Sequence, residues 1–176
     1  MSEHDELVQE LRAGLEHVLL AHSEHARTPE DRVRFFDGVT PYAVHPIWCA
    51  MTLMTEPTLP LQLRRLGSLA LLWHDTLEDT TAPLPPGTSP DVERLVREMT
   101  FDSFTHEVQD VWTRSETAKL LKLYDKVSNL LDGQWMSDEK WNRYVEHTTR
   151  LAAFVRDAFG ELNIVRIAGA VCRRRA

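Results

Sequence analysis

The sequence predicts an all-α protein of about seven or eight helices, and three observations support this fold class. Apolar residues recur at the spacing of one helix face in most segments of the chain. Proline and glycine signals for helix starts and ends separate these segments. No run of alternating polar and apolar residues is long enough for a convincing strand.

The first two helices are predicted from periodicity and from proline. An amphipathic helix follows Leu7, and its predicted apolar face consists of Leu11, Leu15, Val18, Leu19 and His22. Pro46 suits the first turn of a second helix, which would run to about Thr55. This prediction places His45 at the start of a helix.

The third predicted helix starts after Pro60 and is apolar on almost every side up to Trp73, so it belongs in the centre of a core. The helical spacing is expected to continue through the polar residues as far as Asp79. Gly133 is predicted to be the C-cap of a later helix, and Gly160 ends another. These later apolar helical segments cover residues 92–99, 104–112, 120–131 and 141–159, and a shorter one follows.

Length and composition fit a single compact domain over residues 1–176, with 43% hydrophobic and 27% charged residues. The longest apolar stretch, Leu66 to Trp73, is too short to cross a bilayer, and the acidic N-terminus is unlike a signal peptide. Cys49 and Cys172 lie far apart, which suits two reduced thiols. We therefore expect a cytoplasmic protein without a membrane partner.

The formal net charge of -7 argues against a nucleic-acid partner, because such binding needs cations that displace counterions from phosphates. A small phosphate-bearing ligand is compatible with this charge if a metal or a local group of cations meets it. The sequence is also compatible with a homo-oligomer.

The densest group of chemically active side chains lies at the end of the apolar third helix. It consists of one histidine and three carboxylates, His74, Asp75, Glu78 and Asp79. On a continuous helix His74 and Glu78 share a face, as do Asp75 and Asp79. A His-Asp pair alone is more often part of a solvated helix end. Three acidic groups near a helix C-terminus, however, oppose the helix dipole, and a divalent metal would compensate them.

Two other segments add side chains of the same kind. Asp125 and Asn129 share a helix face, with Lys122 on the same side, and Pro46 fixes His45 at a helix entrance. Each feature is weak alone, because such Lys/Asp pairs are usually surface ion pairs and a lone histidine is usually structural. Together, two histidines and two aspartates supply the imidazole and carboxylate ligands that first-row divalent ions accept.

Three motifs follow one another in a fixed order within residues 40–132. They are Tyr42-x-x-His45-Pro46, His74-Asp75-Thr76-x-Glu78-Asp79-Thr80 and Lys122-Leu123-x-Asp125-Lys126-x-x-Asn129-Leu130. This ordered set closely resembles the hydrolase domain of RelA/SpoT-type alarmone enzymes and their small single-domain relatives. These proteins belong to the HD superfamily of metal-dependent phosphohydrolases.

The resemblance implies a compact helical HD-domain fold and a role for each matched residue. Glu78 and Asp79 would be the catalytic pair, and Asn129 would contact the nucleotide. The implied reaction removes the 3′-pyrophosphate from guanosine 3′,5′-bis(diphosphate) or the corresponding pentaphosphate. The ligands of the metal, which is typically manganese in this family, would be His45, His74, Asp75 and Asp125.

The expected chemistry needs a nucleophile and groups that hold the substrate. A divalent metal provides hydroxide near neutral pH, and the catalytic pair can orient that water or move its proton. Lys122, Arg32 and Arg34 are candidates for receiving phosphate charge, and Tyr42 is a further candidate for substrate binding.

Two alternatives remain open, and a departure from the family supports the first of them. The basic stretch that precedes the Tyr-x-x-His-Pro motif in the family is replaced here by Arg32-Val33-Arg34-Phe35-Phe36-Asp37-Gly38. The first alternative is an HD-type nucleotidase or pyrophosphohydrolase that acts on another nucleotide. The second is a non-catalytic metal- or nucleotide-binding HD module.

Overall fold

The computed structural model describes residues 2–174, and within them the chain is helical with no strand. Two isolated bridges pair Ala26 with Thr80 and Val33 with Pro41. The helices of the described residues are α1 (Glu3–Glu24), α2 (Val44–Met54), α3 (Leu61–Trp73), α4 (Thr76–Asp79), α5 (Pro90–Met99), α6 (Phe104–Asp110), α7 (Glu116–Leu131), α8 (Asp138–Phe159) and α9 (Asn163–Cys172). Short 3₁₀ turns cover Glu30–Arg32, Val111–Thr113 and Gly133–Trp135. The all-α prediction is confirmed.

Several predicted helix boundaries are confirmed. Helix α2 begins at Val44, so His45 lies in its first turn. In addition to these boundaries, α5 has a capped start, because the Ser89 hydroxyl accepts a hydrogen bond from the Val92 N–H. Gly160 follows α8 with a φ of 86°, a backbone conformation that favours glycine. None of the helices in residues 2–174 is long and apolar enough to span a membrane.

Helix α7 lies at the centre of the core. It packs against α2, α5, α8 and α9, and most of its side chains are buried. The predicted central position of α3 is confirmed as well, because Leu69 to Trp73 are all buried. Full burial of one leucine side chain contributes roughly 1.5–3 kcal/mol, so these two helices supply much of the apolar stabilisation.

A close contact between α2, α3 and α7 brings distant parts of the sequence together. A Cβ atom on Gly67 would lie 2.7 Å from Leu53 Cδ2 and 3.0 Å from Leu121 Cδ2. Helices α2 and α3 are joined by a short loop and pack along each other, as in an antiparallel helical hairpin. The start of α2 therefore lies beside the end of α3, which places His45 near His74.

The predicted helix through Asp79 is wrong, because the chain turns between α3 and α4. Helix α3 ends at Trp73, and Asp79 N–H donates to Asp75 O at 2.8 Å in a separate turn. At the end of α3 the carbonyl of Leu71 accepts a hydrogen bond from His74 Nδ1 at 2.8 Å. A side-chain donor thus satisfies a carbonyl that the helix end leaves free. The break lies between His74 and Glu78, whereas Asp75 and Asp79 stay within the single turn of α4 and its N-cap.

Two further predictions of local detail are wrong. The C-cap of α7 is Asp132, and Gly133 lacks the positive φ of a capping glycine. Space favours glycine at this position, because a Cβ would lie 3.0 Å from Trp141 Cζ3, closer than an ordinary van der Waals contact. Leu19, predicted on the apolar face of α1, is 50% exposed, because it lies beside that face rather than on it.

Candidate metal centre

Two histidines from different helices meet an aspartate at the centre of the fold. His45 comes from the first turn of α2, His74 from the end of α3 and Asp125 from the middle of α7. One potential ligand atom of each lies within 4.8 Å of the others. The Nε2 atoms of His45 and His74 lie 3.4 and 3.9 Å from Asp125 Oδ1.

Asp75 completes the group that the sequence predicts. Its Oδ1 lies 3.0 Å from His74 Nε2, and its Oδ2 lies 3.4 Å from His45 Nε2. The Tyr42 hydroxyl donates a hydrogen bond to Asp75 Oδ2 at 2.8 Å and fixes the carboxylate in place. The four predicted ligands, separated by up to eighty residues along the chain, are thus neighbours in space.

The hydrogen bonds of the two imidazoles leave one nitrogen of each ring facing the centre. His74 Nδ1 contacts a backbone carbonyl, which can accept but not donate, so Nδ1 carries the proton and neutral His74 has a lone pair on Nε2. His45 Nδ1 contacts Ser128 Oγ at 2.8 Å. Both Nε2 atoms are buried without a hydrogen-bond partner. Such atoms are costly in a core, and a divalent ion among nitrogen and oxygen donors would satisfy them.

Two lysines compensate the buried charge of Asp125. Burial alone would raise the pKa of Asp125. The ammonium groups of Lys126 and Lys122 outweigh burial and hold this pKa well below its usual range. Both ammonium groups also contact Glu107 Oε2, at 2.8 and 3.1 Å, and His147 Nε2 lies 3.0 Å from the other Glu107 oxygen. Asp125 is therefore a buried, ionised carboxylate, which is the state that a metal ligand requires.

Proton and metal compete for His74. Burial lowers its pKa, but the carboxylates of Asp75 and Asp125 outweigh burial and raise the pKa of His74 to about 10. A metal ion that binds Nε2 must therefore displace a proton, so metal affinity is expected to fall as pH falls.

The predicted catalytic pair lies on α4, next to the candidate metal centre. Glu78 Oε1 accepts a hydrogen bond from the Phe101 N–H at 2.7 Å, and burial raises the pKa of Glu78. Burial, followed by the nearby Asp75 carboxylate and Glu78, raises the pKa of Asp79 to about 7. A carboxyl group with this pKa can both accept and donate a proton near neutral pH.

A pocket of about 500 Å³ opens onto these carboxylates. Four of the predicted substrate-binding residues line it: Tyr42, Arg34, Lys122 and Asn129. All four already have protein partners, because Tyr42 donates to Asp75 and Lys122 contacts Glu107 and Asp125. Asn129 Nδ2 donates to Asp125 Oδ1 at 2.6 Å, and Arg34 donates to Asp132 and to Asn129 Oδ1.

Arg32, predicted to receive phosphate charge, is not brought to this pocket by the structure. Arg32 is the last residue of a 3₁₀ turn, its side chain is exposed, and it does not line the pocket. The segment becomes extended only at Val33, so Arg32 and Arg34 do not share the face that simple alternation would give them.

Sequence reasoning missed several residues of this region. Lys126 belongs to the third motif and directly follows Asp125. Its spacing of four residues from Lys122 indicated a second cation on the same helix face. Glu107 and His147 gave no local signal, because their burial depends on the packing of α6 and α8 against α7. Lys140 was missed for a similar reason, although it lines the pocket from α8.

No family model matches the chain. Among curated proteins, the chain is 34% identical over 119 residues to the guanosine-3′,5′-bis(diphosphate) 3′-pyrophosphohydrolase MESH1 of Homo sapiens. The match covers 60% of this chain and 63% of the human protein, so the chain spans less than two thirds of that relative.

A solved structure has the same fold over nearly the whole chain. It is described as a metazoan orthologue of SpoT that hydrolyses ppGpp, and it superposes with a TM-score of 0.70 at 24% sequence identity. The superposition covers 95% of this chain and 96% of the other. In fold and in partial sequence, the chain therefore resembles the HD-type alarmone hydrolases.

Proposed function

We propose that this chain, as a single HD-type domain, removes the 3′-pyrophosphate from guanosine 3′,5′-bis(diphosphate) in the cytoplasm. Manganese is the proposed metal, with His45, His74, Asp75 and Asp125 as its ligands. The observation that carries the proposal is the pair of buried, unpartnered imidazole Nε2 atoms that face two carboxylates. The names of the similar human and metazoan proteins support the choice of substrate.

The donor set fits a first-row divalent ion such as manganese. It offers two imidazole nitrogens and carboxylate oxygens and no thiolate, whereas sulfur ligands would favour softer ions. When bound, such an ion activates water as a nucleophile near neutral pH and polarises a phosphoryl oxygen. Tyr42 and Ser128 keep Asp75 and His45 oriented for this task through their hydrogen bonds.

The two carboxyl groups of α4 have different proposed tasks. Asp79, with a pKa of about 7, is suited to take the proton of the attacking water and to return one to the leaving group. Glu78 is held by the Phe101 N–H, so its second oxygen is available to orient that water. Neither group needs to form a covalent intermediate.

The polar floor of the pocket is suited to hold the substrate's phosphates. Lys122 and Lys126 lie beside Asp125, and Lys140 also lines the pocket, with its ammonium group 4.2 Å from the Trp135 ring centroid. Asn129 links Arg34 to Asp125, so we propose that it senses the nucleotide and also positions the carboxylate.

The test is the release of pyrophosphate from guanosine 3′,5′-bis(diphosphate) by purified protein loaded with manganese. The variants Glu78→Gln and Asp79→Asn should each lose a factor of about 10² to 10⁴ in kcat, as expected when a proton-transfer group is lost. Both should still bind manganese in a metal analysis. Asp91→Asn, at the exposed start of α5, is the matched control and should keep wild-type turnover.

Two outcomes would contradict the proposal to different degrees. If the manganese protein leaves this substrate intact and cleaves another nucleotide, the substrate is wrong and the class of reaction stands. If it cleaves no member of a nucleotide panel, the enzymatic proposal fails and a binding module becomes the better interpretation.

A further inference from the structure

Two large aromatic side chains are exposed at the mouth of the pocket. Phe35 is 55% exposed and Trp135 is 39% exposed, and both line the pocket. Their ring centroids are 4.8 Å apart, with an angle of 41° between the ring planes. Ligand pockets commonly combine aromatic side chains with a few polar groups, so two adjacent accessible rings beside charged groups suggest a ligand that has both an apolar face and a charged part.

The loop that carries Phe35 is held by its own hydrogen bonds. Arg34 N–H donates to Thr40 O at 2.8 Å, and Asp37 Oδ1 accepts from the N–H groups of Val39 and Thr40 at 2.9 Å. Gly38 has a φ of 67°, which allows the tight turn. The Phe35 ring is therefore presented at the mouth by an ordered turn.

The Trp135 ring is held by contacts with two side chains. The Lys140 ammonium group lies over its ring, and Phe35 contacts it. The two rings thus form one apolar surface that is supported by a cation, and a substantial part of the Phe35 ring is still accessible to a ligand.

We propose that Phe35 and Trp135 form a stacking platform for the nucleobase of the substrate. This inference rests on the proposed function and assigns the base to the mouth and the phosphates to the lysines and the metal centre. Stacking uses the π-face that every base has, so the platform should bind guanine and adenine to a similar extent.

The surroundings of Arg34 support a low selectivity for the base. A free guanidinium beside the platform could recognise the edge of guanine. In this chain, however, Arg34 Nε and Nη2 donate to Asp132 and Asn129 at 2.8 to 3.0 Å. Since these three N–H donors are used within the protein and Arg34 is only 5% exposed, the residues at the mouth contribute stacking rather than recognition of one base.

The experiment measures equilibrium binding of three probes to the manganese-loaded protein by calorimetry: guanosine 5′-diphosphate, adenosine 5′-diphosphate and inorganic pyrophosphate. Phe35→Ala and Trp135→Ala should each raise the Kd of both nucleotides about tenfold, in line with the loss of one stacking contact. The Kd of pyrophosphate, which has no base, should stay at the wild-type value. Trp135→Phe, which retains a ring, should restore most of the nucleotide affinity.

Phe36→Ala is the matched control, because Phe36 is the next residue, is 45% exposed and does not line the pocket. It should bind all three probes like the wild type. The platform is refuted if Phe35→Ala leaves nucleotide binding unchanged, or if it weakens pyrophosphate as strongly as the nucleotides. Weakening of guanosine diphosphate alone would refute the low selectivity.

These binding results separate the platform from the proposed function. If nucleotides bind as expected but guanosine 3′,5′-bis(diphosphate) is not cleaved, the proposed reaction fails and the platform stands. If that substrate is cleaved and Phe35→Ala leaves its KM unchanged, the reaction stands and the platform fails.

Discussion

Helix α2 has a buried polar side chain near each of its ends, and the two have opposite surroundings. Beyond the last turn, Glu56 is 1% exposed, and its carboxylate accepts hydrogen bonds from Tyr124 Oη, Asn163 N and Ile164 N at 3.0 to 3.2 Å. In the first turn, His45 is equally buried, and its Nε2 has no hydrogen-bond partner.

This difference indicates a structural role for Glu56 and a binding role for His45. Glu56 satisfies N–H groups at the start of α9, where the helix dipole favours a negative charge, so every group involved has its partner inside the protein. At the other end of α2, only the Nδ1 atom of His45 has a hydrogen-bond partner, which is Ser128. A buried polar atom without a partner costs free energy unless a ligand meets it, so the first turn of α2 indicates a binding site.

Helix α7 serves both regions with consecutive residues. Tyr124 donates to Glu56 at the architectural end, and Asp125 lies beside His45 at the functional end. Adjacent helical residues point about 100° apart, so a single buried helix can reach both places. Selective damage to either end is therefore a direct test of the contrast.

The largest effect is expected at the functional end. His74→Ala removes one of the two free imidazole nitrogens and should weaken manganese binding by more than the roughly 10- to 100-fold that is typical for loss of an outer-shell partner. Activity should fall with the metal content, measured by elemental analysis and pyrophosphate release. His106→Ala, which changes a half-buried histidine of α6 outside the proposed ligand set, is the control. Full manganese retention in His74→Ala would contradict the metal assignment.

A smaller effect, on stability alone, is expected at the architectural end. Glu56→Ala leaves the Tyr124 hydroxyl and two backbone N–H groups without their acceptor and should lower the free energy of unfolding by about 2–5 kcal/mol. Chemical denaturation measures this loss, and Glu56→Gln, which keeps an acceptor oxygen, should lose less. Turnover per folded, manganese-loaded molecule should not change, and a selective loss of turnover would break the proposed separation.

The functional end was more predictable from sequence than the architectural end. His45, His74, Asp75 and Asp125 were accessible because each lies in a short ordered motif, and the structure brings them together. Glu56 was not singled out, because its role depends on the arrival of α9, more than a hundred residues later.

Helix ends were also predicted wrongly from sequence. In one case a side chain bonds the backbone at the end of a helix, and in another the packing space determines the residue type. Periodicity could extend the third helix through Asp79, but it could not show that the His74 ring would bond a carbonyl at the helix end. Gly133 was predicted to be a cap, but the feature that favours glycine at this position is the close approach of the Trp141 ring. The buried Glu107 beside Lys122 and Lys126 likewise arises from tertiary packing, and no local spacing predicts it.

The smallest expected effect on stability concerns Asp79. Unlike Glu56, Asp79 does not accept three hydrogen bonds, and it is not one of the four proposed metal ligands. Its pKa is raised to about 7 by burial and neighbouring carboxylates, from an ordinary value of 3.8. Between these two values the unfolded chain releases a proton that the folded protein retains, so stability falls as pH rises, and the loss is complete above about pH 7.

In metal-free protein, Asp79→Asn should therefore be more stable than the wild type by roughly 1 to 3 kcal/mol at pH 8, with little difference near pH 3.5. Denaturation in the presence of a chelator at both pH values measures this. The same substitution should abolish most turnover, so a gain in stability would accompany a loss of function. An equal destabilisation by Asp79→Asn at both pH values would contradict this prediction. The carboxyl group of Asp79 would then be a structural hydrogen-bond acceptor like that of Glu56, and α4 would not share the functional character of the first turn of α2.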